Sequence, residues 1–417
     1  MAHPVRVVRA VVSTGGSWLG ALVPFPVDSP WWADVEPVTG RLDELLGVPA
    51  TVLRLVDVVG GVAPAGGLVT YHVEVPARPA VDPGWQYVDP DELAAIASPH
   101  PSRTRHAKPG GPADHLRWAV AALEKIGRPA TGTPVQVKTW NLSCVHRIPT
   151  SAGAVWLKCV SGWQTPENAV LPAVAAIDVA LVPTMLAADS SAARVLVEHV
   201  VGEDCYAPDQ VSVDQAVDRW VTVQARLATA EHRARLLADG VPDLTLDTIG
   251  QRLTTRLLGV PDALPAREQS VLLELVGTLP ARLAALAGTG VPDTLVHGDF
   301  QGGNWRACGT DLRVMDWSDA SISHPALDLV GLLANLPATR RPATLDRWAA
   351  KWRSAVPGCD PYGAAELVHP LQPLQAALLY QDFLDHIEPS ERRYHEDDPA
   401  AMVRLAAERV RETASVR

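Results

Sequence analysis

Three side chains that can hold a proton or a metal ion, Asp299, Asn304 and Asp316, lie close together in the sequence around two glycines. A carboxylate in a tight turn can orient a hydroxyl group and accept its proton. Carboxylate and amide oxygens also bind the Mg²⁺ that neutralises nucleotide phosphates. Because β-branched runs bracket this loop, we expect a hairpin that brings the three side chains to one cleft. The pattern favours phosphoryl transfer, with Asp299 as catalytic base and with Asn304 and Asp316 as metal ligands.

Any one of these residues alone could be an ordinary turn residue, because Asp and Asn next to Gly favour turns. The ordered set is more specific, and it resembles the aminoglycoside phosphotransferase and choline kinase family. The resemblance is carried by His297, Gly298 and Asp299, by Asn304 after four further residues, and by Met315, Asp316 and Trp317 after a strand. Where the family usually has His-Pro before Gly-Asn, this chain has Gln301 and Gly302.

The resemblance implies a bilobed protein kinase-like fold with a small β-rich N-lobe and a helical C-lobe. It also implies ATP or GTP with Mg²⁺ as cofactors. The γ-phosphate would pass to a hydroxyl of a small molecule such as an aminoglycoside, an amino sugar or an amino alcohol.

Two further residues are predicted to support the loop rather than to react. His297 has no second histidine at ligand spacing, so bracing by hydrogen bonds is favoured over a role as base or metal ligand. By resemblance, Asp328 corresponds to a later aspartate that buttresses the catalytic loop. The alternative for Asp328 is a plain charge at a helix N-terminus.

A nucleotide also needs a cation at its phosphates, and the resemblance assigns this role to Lys158, at the end of a predicted strand. The alternative is an exposed lysine at a strand end. Glu167 opens the next predicted helix, after Thr165 as its cap, and could pair with Lys158. Pro172 lies five residues into that helix and should kink it.

Three further candidates, Ser143, Glu198 and Val200, complete the predicted nucleotide site. No Gly-x-Gly-x-x-Gly motif precedes Lys158; the matching turn runs from Trp140 to His146. Ser143 and nearby backbone amides could cover the phosphates, although a plain strand is equally consistent with the pattern. The run that ends at Glu198 and Val200 resembles the hinge of the family, whose backbone meets adenine.

Local composition and the spacing of apolar residues divide the chain into four parts. Short β-branched runs occupy 1–97, and a polar stretch rich in Pro and Gly, 98–112, is typical of an exposed linker. Strand character returns in 113–200, the expected N-lobe, and apolar residues at helical spacing dominate 201–417, the expected C-lobe. The predicted class is therefore α+β.

The first part resembles a degenerate Nudix domain, although only part of the Nudix box survives in the stretch that contains Arg41, Asp43, Glu44 and Gly47. Leu45 and Leu46 stand where that box needs acids for metal-dependent hydrolysis. We therefore expect a non-catalytic accessory domain, separable near Pro109; an ordinary strand–helix unit is almost as consistent.

Composition limits the partners of the protein. The chain has 417 residues and a formal charge of -11, which argues against nucleic acid or anionic membrane as partners. Its five cysteines form no CxxC pair, and no uninterrupted apolar run of about 18 residues is present. A cytoplasmic protein acting on a small molecule is expected.

Two alternatives to an active kinase remain open. An inactive nucleotide-binding or regulatory protein would keep the fold without turnover, and a Nudix hydrolase with a kinase-like appendage would need the missing acids. Acceptor selection is expected from the helices after the catalytic segment. The stretch from Glu391 to Asp398 is interpreted as a solvated charge run.

Overall fold

The computed structural model describes residues 5–256, 266–309 and 311–415. It forms two compact units of mixed α+β structure. The first unit takes Met1–Trp163, Leu186–His199 and Phe383–Glu396, and the second takes Gln164–Met185, Val200–Asp382 and Asp397–Arg417. We call Phe383–Glu396 the returning segment.

The first unit contains two sheets. One has the order β2-β1-β5-β4 with β3 beside β1, and the other has the order β6-β7-β8-β10-β9. Its strands and helices are β1 (Arg6–Thr14), β2 (Ser17–Ala21), β3 (Phe25–Val27), α1 (Glu36–Leu46), β4 (Thr51–Val59), β5 (Gly67–Glu74), α2 (Pro90–Ala97), α3 (Gly111–Lys125), β6 (Val135–Thr139), β7 (Ser143–Thr150), β8 (Gly153–Val160), β9 (Met185–Asp189) and β10 (Arg194–Glu198).

In the second sheet, the neighbouring strands β7 and β8 alternate between buried and more exposed residues. In β7, every second side chain is buried, including Cys144 and Ile148. These side chains pack with Ala119 and Leu123 of α3 in one core cluster. The helix predicted from Ala113 to Ile126 is confirmed as α3.

The two sheets of the first unit are joined by hydrogen bonds. The Gln136 side chain accepts from Val52 N at 2.9 Å and donates to Val52 O at 2.8 Å. Val35 N also donates to Val137 O at 3.1 Å. The observed division therefore differs from the expected one: residues 1–97 share a compact unit with β6–β10 instead of forming a separate domain.

The predicted linker 98–112 is not simply exposed. His106 is 1% exposed in a 3₁₀ turn, Arg105–Ala107, and the Arg103 guanidinium bonds to Glu388 at 2.8 Å. Composition alone predicted exposure, but a polar stretch can be buried when its charged groups have bonding partners.

The second unit is mainly helical. Its elements are α4 (Glu167–Ala175), β11 (Glu203–Asp204), α5 (Gln210–Leu227), α6 (Ala230–Ala238), α7 (Leu246–Arg256), α8 (Ala266–Gly288), β12 (Thr294–Val296), β13 (Trp305–Cys308), β14 (Asp311–Val314), β15 (Ser321–Ser323), α9 (Ala326–Asn335), α10 (Arg341–Ala355), α11 (Pro361–Val368), α12 (Leu371–His386) and α13 (Asp398–Ser415). The helices predicted at 211–228, 267–286, 343–355 and 374–387 are confirmed. The prediction for 244–258 is confirmed as far as Arg256, and its last two positions lie outside the described residues.

Among the described residues, one helical stretch, Gln269–Gly288 of α8, is long and apolar enough to cross a membrane, and 22% of it is buried. A single stretch of this kind is weak evidence for a membrane span.

Candidate active site

The sharpest turn of the site runs from His297 to Asp299, directly after β12, and we call it the Asp299 turn. Gly298 has φ 88°, a left-handed conformation that favours glycine. A Cβ atom at this position would lie 2.3 Å from the backbone oxygen of Asp319. Any larger residue would therefore displace the turn that presents the exposed carboxylate of Asp299.

Asp328, in the first turn of α9, binds the Asp299 turn through hydrogen bonds to its backbone. Its Oδ2 accepts from His297 N at 2.8 Å, from Trp220 Nε1 at 2.8 Å and from Gln224 Nε2 at 3.2 Å. Its Oδ1 accepts from Gly298 N at 3.0 Å. Burial raises the pKa of Asp328, while these donors and the nearby His297 oppose the rise. The carboxylate thus fixes two successive backbone amides of the turn.

The buried ring of His297 connects the Asp299 turn to the strand that leads to Asp316. Its Nε2 lies 2.9 Å from Met315 O, and its Nδ1 accepts from Asp299 N at 3.3 Å. Because Nδ1 accepts, the proton belongs on Nε2, which donates to Met315. These contacts brace the loop, and none of them requires His297 to act as a base.

Asn304 lies beside Asp299, as the hairpin prediction requires. Its Nδ2 donates to Asp299 Oδ2 at 2.8 Å and to Asp299 O at 2.9 Å. Since both amide hydrogens are used, the side-chain oxygen is the atom left for a metal ion. Gln301 Nε2 also lies 3.2 Å from both carboxylate oxygens of Asp299.

The antiparallel pair β13–β14 brings Asp316 to this loop. Trp305 pairs with Val314, and Met315 N then donates to Asn304 O at 2.8 Å. Asp316 has φ 60°, a left-handed conformation that Asp tolerates better than most residues. Ser318 Oγ donates to its Oδ1 at 2.8 Å. The hairpin therefore places Asn304 opposite Met315, the residue that directly precedes Asp316.

Glu167 begins α4 and is 6% exposed. Its Oε1 accepts at 2.8 Å from the backbone N of Trp317, which is the residue after Asp316. The expected Thr165 cap is wrong, because the Thr165 hydroxyl donates instead to Ala320 O at 2.6 Å and the N-cap is Pro166. Pro172 lies inside α4, as the sequence shows. The predicted pairing of Glu167 with Lys158 stays a prediction.

The other predicted nucleotide residues occupy defined positions in the fold. Lys158 lies in β8 between its neighbours in β7 and β10. Ser143 begins β7, and its hydroxyl oxygen accepts from Trp140 Nε1 at 2.9 Å. Glu198 ends β10 and pairs with Arg128 at 2.7 Å, while Val200 is buried at the start of a second-unit segment.

Sequence reasoning missed the residues of α5 that support Asp328. Trp220 and Gln224 lie one helical turn apart and are each 1% exposed. A glutamine on the apolar face of a helix must find a polar partner, because burying an unpaired amide is costly. That signal could have linked α5 to the site.

A small cavity of about 50 Å³ lies next to the Asp299 turn within the second unit. Gly298, Asp319 and Asp328 line it on one side. Arg252 and Asp382 line another side and form an ion pair, and Arg256 also bonds to Asp382. The cavity offers both signs of charge close to Asp299.

The donor set fits Mg²⁺ better than a transition metal. Among the described residues, no group of three His, Cys, Asp or Glu side chains could hold a metal ion. Mg²⁺ is commonly held by one or two protein oxygens together with substrate phosphates, so Asn304 and Asp316 are a sufficient set.

Residues 164–362 match the family model APH, described as a phosphotransferase enzyme family. No curated protein matches the chain. A variant of aminoglycoside 2′-phosphotransferase IIIa in complex with GDP aligns with a TM-score of 0.51 at 14% identity, over 72% of this chain and 99% of that one.

Two other solved structures show weaker likeness. A choline/ethanolamine kinase family protein from Mesorhizobium loti has a TM-score of 0.46 and 18% identity, covering 72% of this chain and 99% of its own. Macrolide 2′-phosphotransferase MphH from Brachybacterium faecium has a TM-score of 0.47 and 16% identity, covering 69% and 98%. Residues 164–362 are thus similar to the phosphotransferase family model, and the alignment at a TM-score of 0.51 shows that the chain shares the fold of the aminoglycoside 2′-phosphotransferase IIIa variant. The resemblance to Nudix domains is not shown.

Proposed function

We propose that the protein is a small-molecule kinase that transfers the γ-phosphate of ATP or GTP to a hydroxyl group. The observation that carries the proposal is the arrangement of Asp299, Asn304 and Asp316 around one hairpin, inside the region that matches the phosphotransferase family model. Aminoglycosides, amino sugars and amino alcohols are the proposed acceptor classes.

In this proposal, Asp299 orients the acceptor hydroxyl and takes its proton as the oxygen attacks the γ-phosphorus. The turn that carries Asp299 is rigid, because Asp328 holds its backbone amides and His297 ties it to Met315. A fixed carboxylate loses little entropy when it aligns the acceptor.

Asn304 and Asp316 would hold Mg²⁺, which neutralises charge on the phosphates. Lys158 would bind the α- and β-phosphates, and Glu167 would orient the lysine. Ser143 and the amides near it would cover the phosphates, and the backbone at Glu198 and Val200 would meet the base. His297 and Asp328 act only through the Asp299 turn.

We further propose that the first sheet is not itself catalytic. Arg41 and Glu44 pair with each other on the exposed side of α1, and Asp43 accepts from Ala50 N at 2.6 Å. The charged side chains of this stretch are therefore bonded to groups within or next to α1. The protein would act in the cytoplasm without nucleic acid or membrane partners, in agreement with its free cysteines.

Thermal melts with Mg²⁺ and either ATP or GTP test nucleotide binding, because a ligand selective for the folded state raises the melting temperature. We expect an upward shift with at least one of them, and then nucleotide consumption when amino sugars, amino alcohols and nucleosides are screened. Absence of both shifts in folded protein would contradict the proposal. Binding without turnover of any acceptor would favour an inactive regulatory protein.

A further inference from the structure

The turn between β6 and β7, Trp140–Ser143, contains no glycine, yet it is closed tightly on itself; we call it the Trp140 turn. Trp140 N donates to Ser143 O at 3.0 Å, and Trp140 Nε1 donates to Ser143 Oγ at 2.9 Å. A glycine-poor turn is stiffer than the glycine-rich loops that usually cover phosphates. Its conformation must therefore be set in advance by its surroundings.

The carbonyl groups of the Trp140 turn are bonded inside the first unit. Trp140 O accepts from His106 Nε2 at 3.0 Å. Asn141 O accepts from Ser161 Oγ at 3.1 Å, and Leu142 O accepts from Ser161 N at 3.1 Å. A carbonyl oxygen that faced a phosphate would repel it, so this polarity is the one that an anion-covering turn requires.

The returning segment packs against the same turn. Asn141 Nδ2 donates to Glu391 O at 3.3 Å. The Trp140 ring meets the rings of Tyr394 and His395, with centroids 5.6 and 5.5 Å apart. These residues belong to the stretch interpreted as a solvated charge run, but that interpretation is wrong for Glu391, Tyr394 and His395, which are 2, 5 and 6% exposed.

The first sheet anchors the returning segment in turn. Leu55 N donates to Glu391 Oε1 at 3.2 Å, and Tyr394 packs edge-on against Trp32 with centroids 5.5 Å apart. Glu388 accepts charged hydrogen bonds from Arg54 and Arg103. The path of contacts thus runs from β4 through the returning segment to the Trp140 turn.

We propose that the first sheet and the returning segment form a built-in clamp that holds the Trp140 turn ready to bind nucleotide phosphates. His106 and Tyr394 are positioning residues of this clamp. The inference rests on the proposed function, because it assigns the turn to the nucleotide. It also gives the N-terminal region a role: the region preorganises the nucleotide site and is not a detachable accessory.

The test compares His106→Leu and Tyr394→Leu with a control, Val403→Ala, which changes a fully buried residue of α13 in the second unit, outside the clamp. Two quantities are measured in the full chain: the Kd of ADP and GDP with Mg²⁺, and hydrogen exchange of the peptide containing 140–143 without nucleotide. Both variants should weaken binding roughly tenfold, since each loses a contact that orders the turn, and should speed exchange there. His106→Gln, which keeps a donor for Trp140 O, should restore both properties.

The control separates positioning from general destabilisation. Val403→Ala should lower the melting temperature without changing nucleotide affinity or exchange of the Trp140 turn. If the clamp variants behave like Val403→Ala in both measurements, the clamp is refuted. If the unmodified protein binds neither nucleotide, the proposed function fails while exchange still tests the clamp: unchanged protection in His106→Leu and Tyr394→Leu refutes it.

Discussion

The Asp299 turn and the Trp140 turn are both rigid, but they are built from different distances along the chain. His297 reaches Met315 and Asp328 over separations of 18 and 31 residues. Trp140 and Asn141 are held by His106 and Glu391 over 34 and 250 residues. The contacts of the Asp299 turn join residues that are close in the sequence, so they produce a recognisable sequence motif. The contacts of the Trp140 turn come from distant parts of the first unit. A strong sequence motif therefore indicates that the contacts supporting a turn are local in the chain; it does not indicate how rigid the turn is.

The largest expected effect concerns the chemistry at the Asp299 turn. Asp299→Asn removes the proton acceptor but keeps the shape of the side chain, so kcat should fall by about 10²- to 10⁴-fold while nucleotide affinity stays nearly unchanged. Asp316→Asn should instead weaken binding of the Mg²⁺–nucleotide complex. Steady-state rates and titration calorimetry distinguish the two. Equal losses of affinity in both variants would contradict the assigned roles.

The next effect tests how strongly one buried carboxylate holds the Asp299 turn. In Asp328→Asn, the new amide group would face N–H donors, leaving buried groups unpaired. We expect a loss of about 2–4 kcal/mol in the free energy of unfolding, measured by urea denaturation. The control Asp360→Asn changes an exposed helix cap, where Asp360 Oδ1 accepts from Gly363 N at 3.1 Å, and should cost about 1 kcal/mol at most. Similar losses in both variants would contradict the conclusion that the buried carboxylate of Asp328 stabilises the Asp299 turn.

A more gradual effect concerns the clamp of the Trp140 turn and its dependence on pH. Burial raises the pKa of Glu391 to about 8, with Glu388 adding to the rise and with Leu55 N, Arg54 and Arg103 opposing it. The folded chain therefore keeps a proton that the unfolded chain releases near the ordinary value of 4.5. This contribution to stability is complete below the unfolded pKa and is lost as pH rises toward the folded one.

Glu391→Gln should remove that loss, because glutamine keeps an acceptor for Leu55 N and cannot ionise. The free energy of unfolding of the variant, relative to the unmodified protein, should rise by about 1.4 kcal/mol per pH unit between about pH 5 and pH 8. Urea denaturation across this range measures it. Glu44→Gln, on the exposed side of α1, serves as control and should leave the pH dependence unchanged. A flat difference for Glu391→Gln would contradict a buried, protonated Glu391.

The sequence alone determined the α+β class, most helices and the residues of the Asp299 hairpin. This was possible because apolar periodicity and Gly-Asp turn chemistry act over a few residues. The Asn304 and Asp316 positions follow from one short hairpin, whose register the alternating strands fix. Local preferences and the final fold agree there.

Only the tertiary structure decided the rest. Composition predicted solvent exposure for His106 and Glu391, yet both are buried, because charged and polar groups enter a core when distant partners satisfy them. Arg103 and Arg54 reach Glu388 from segments more than 250 residues away in the chain, and no local pattern records such a pairing. The packing of β1–β5 with β6–β10 in one unit also depends on long-range contacts. Local composition and apolar pattern do not record these contacts, so they predicted two separate domains.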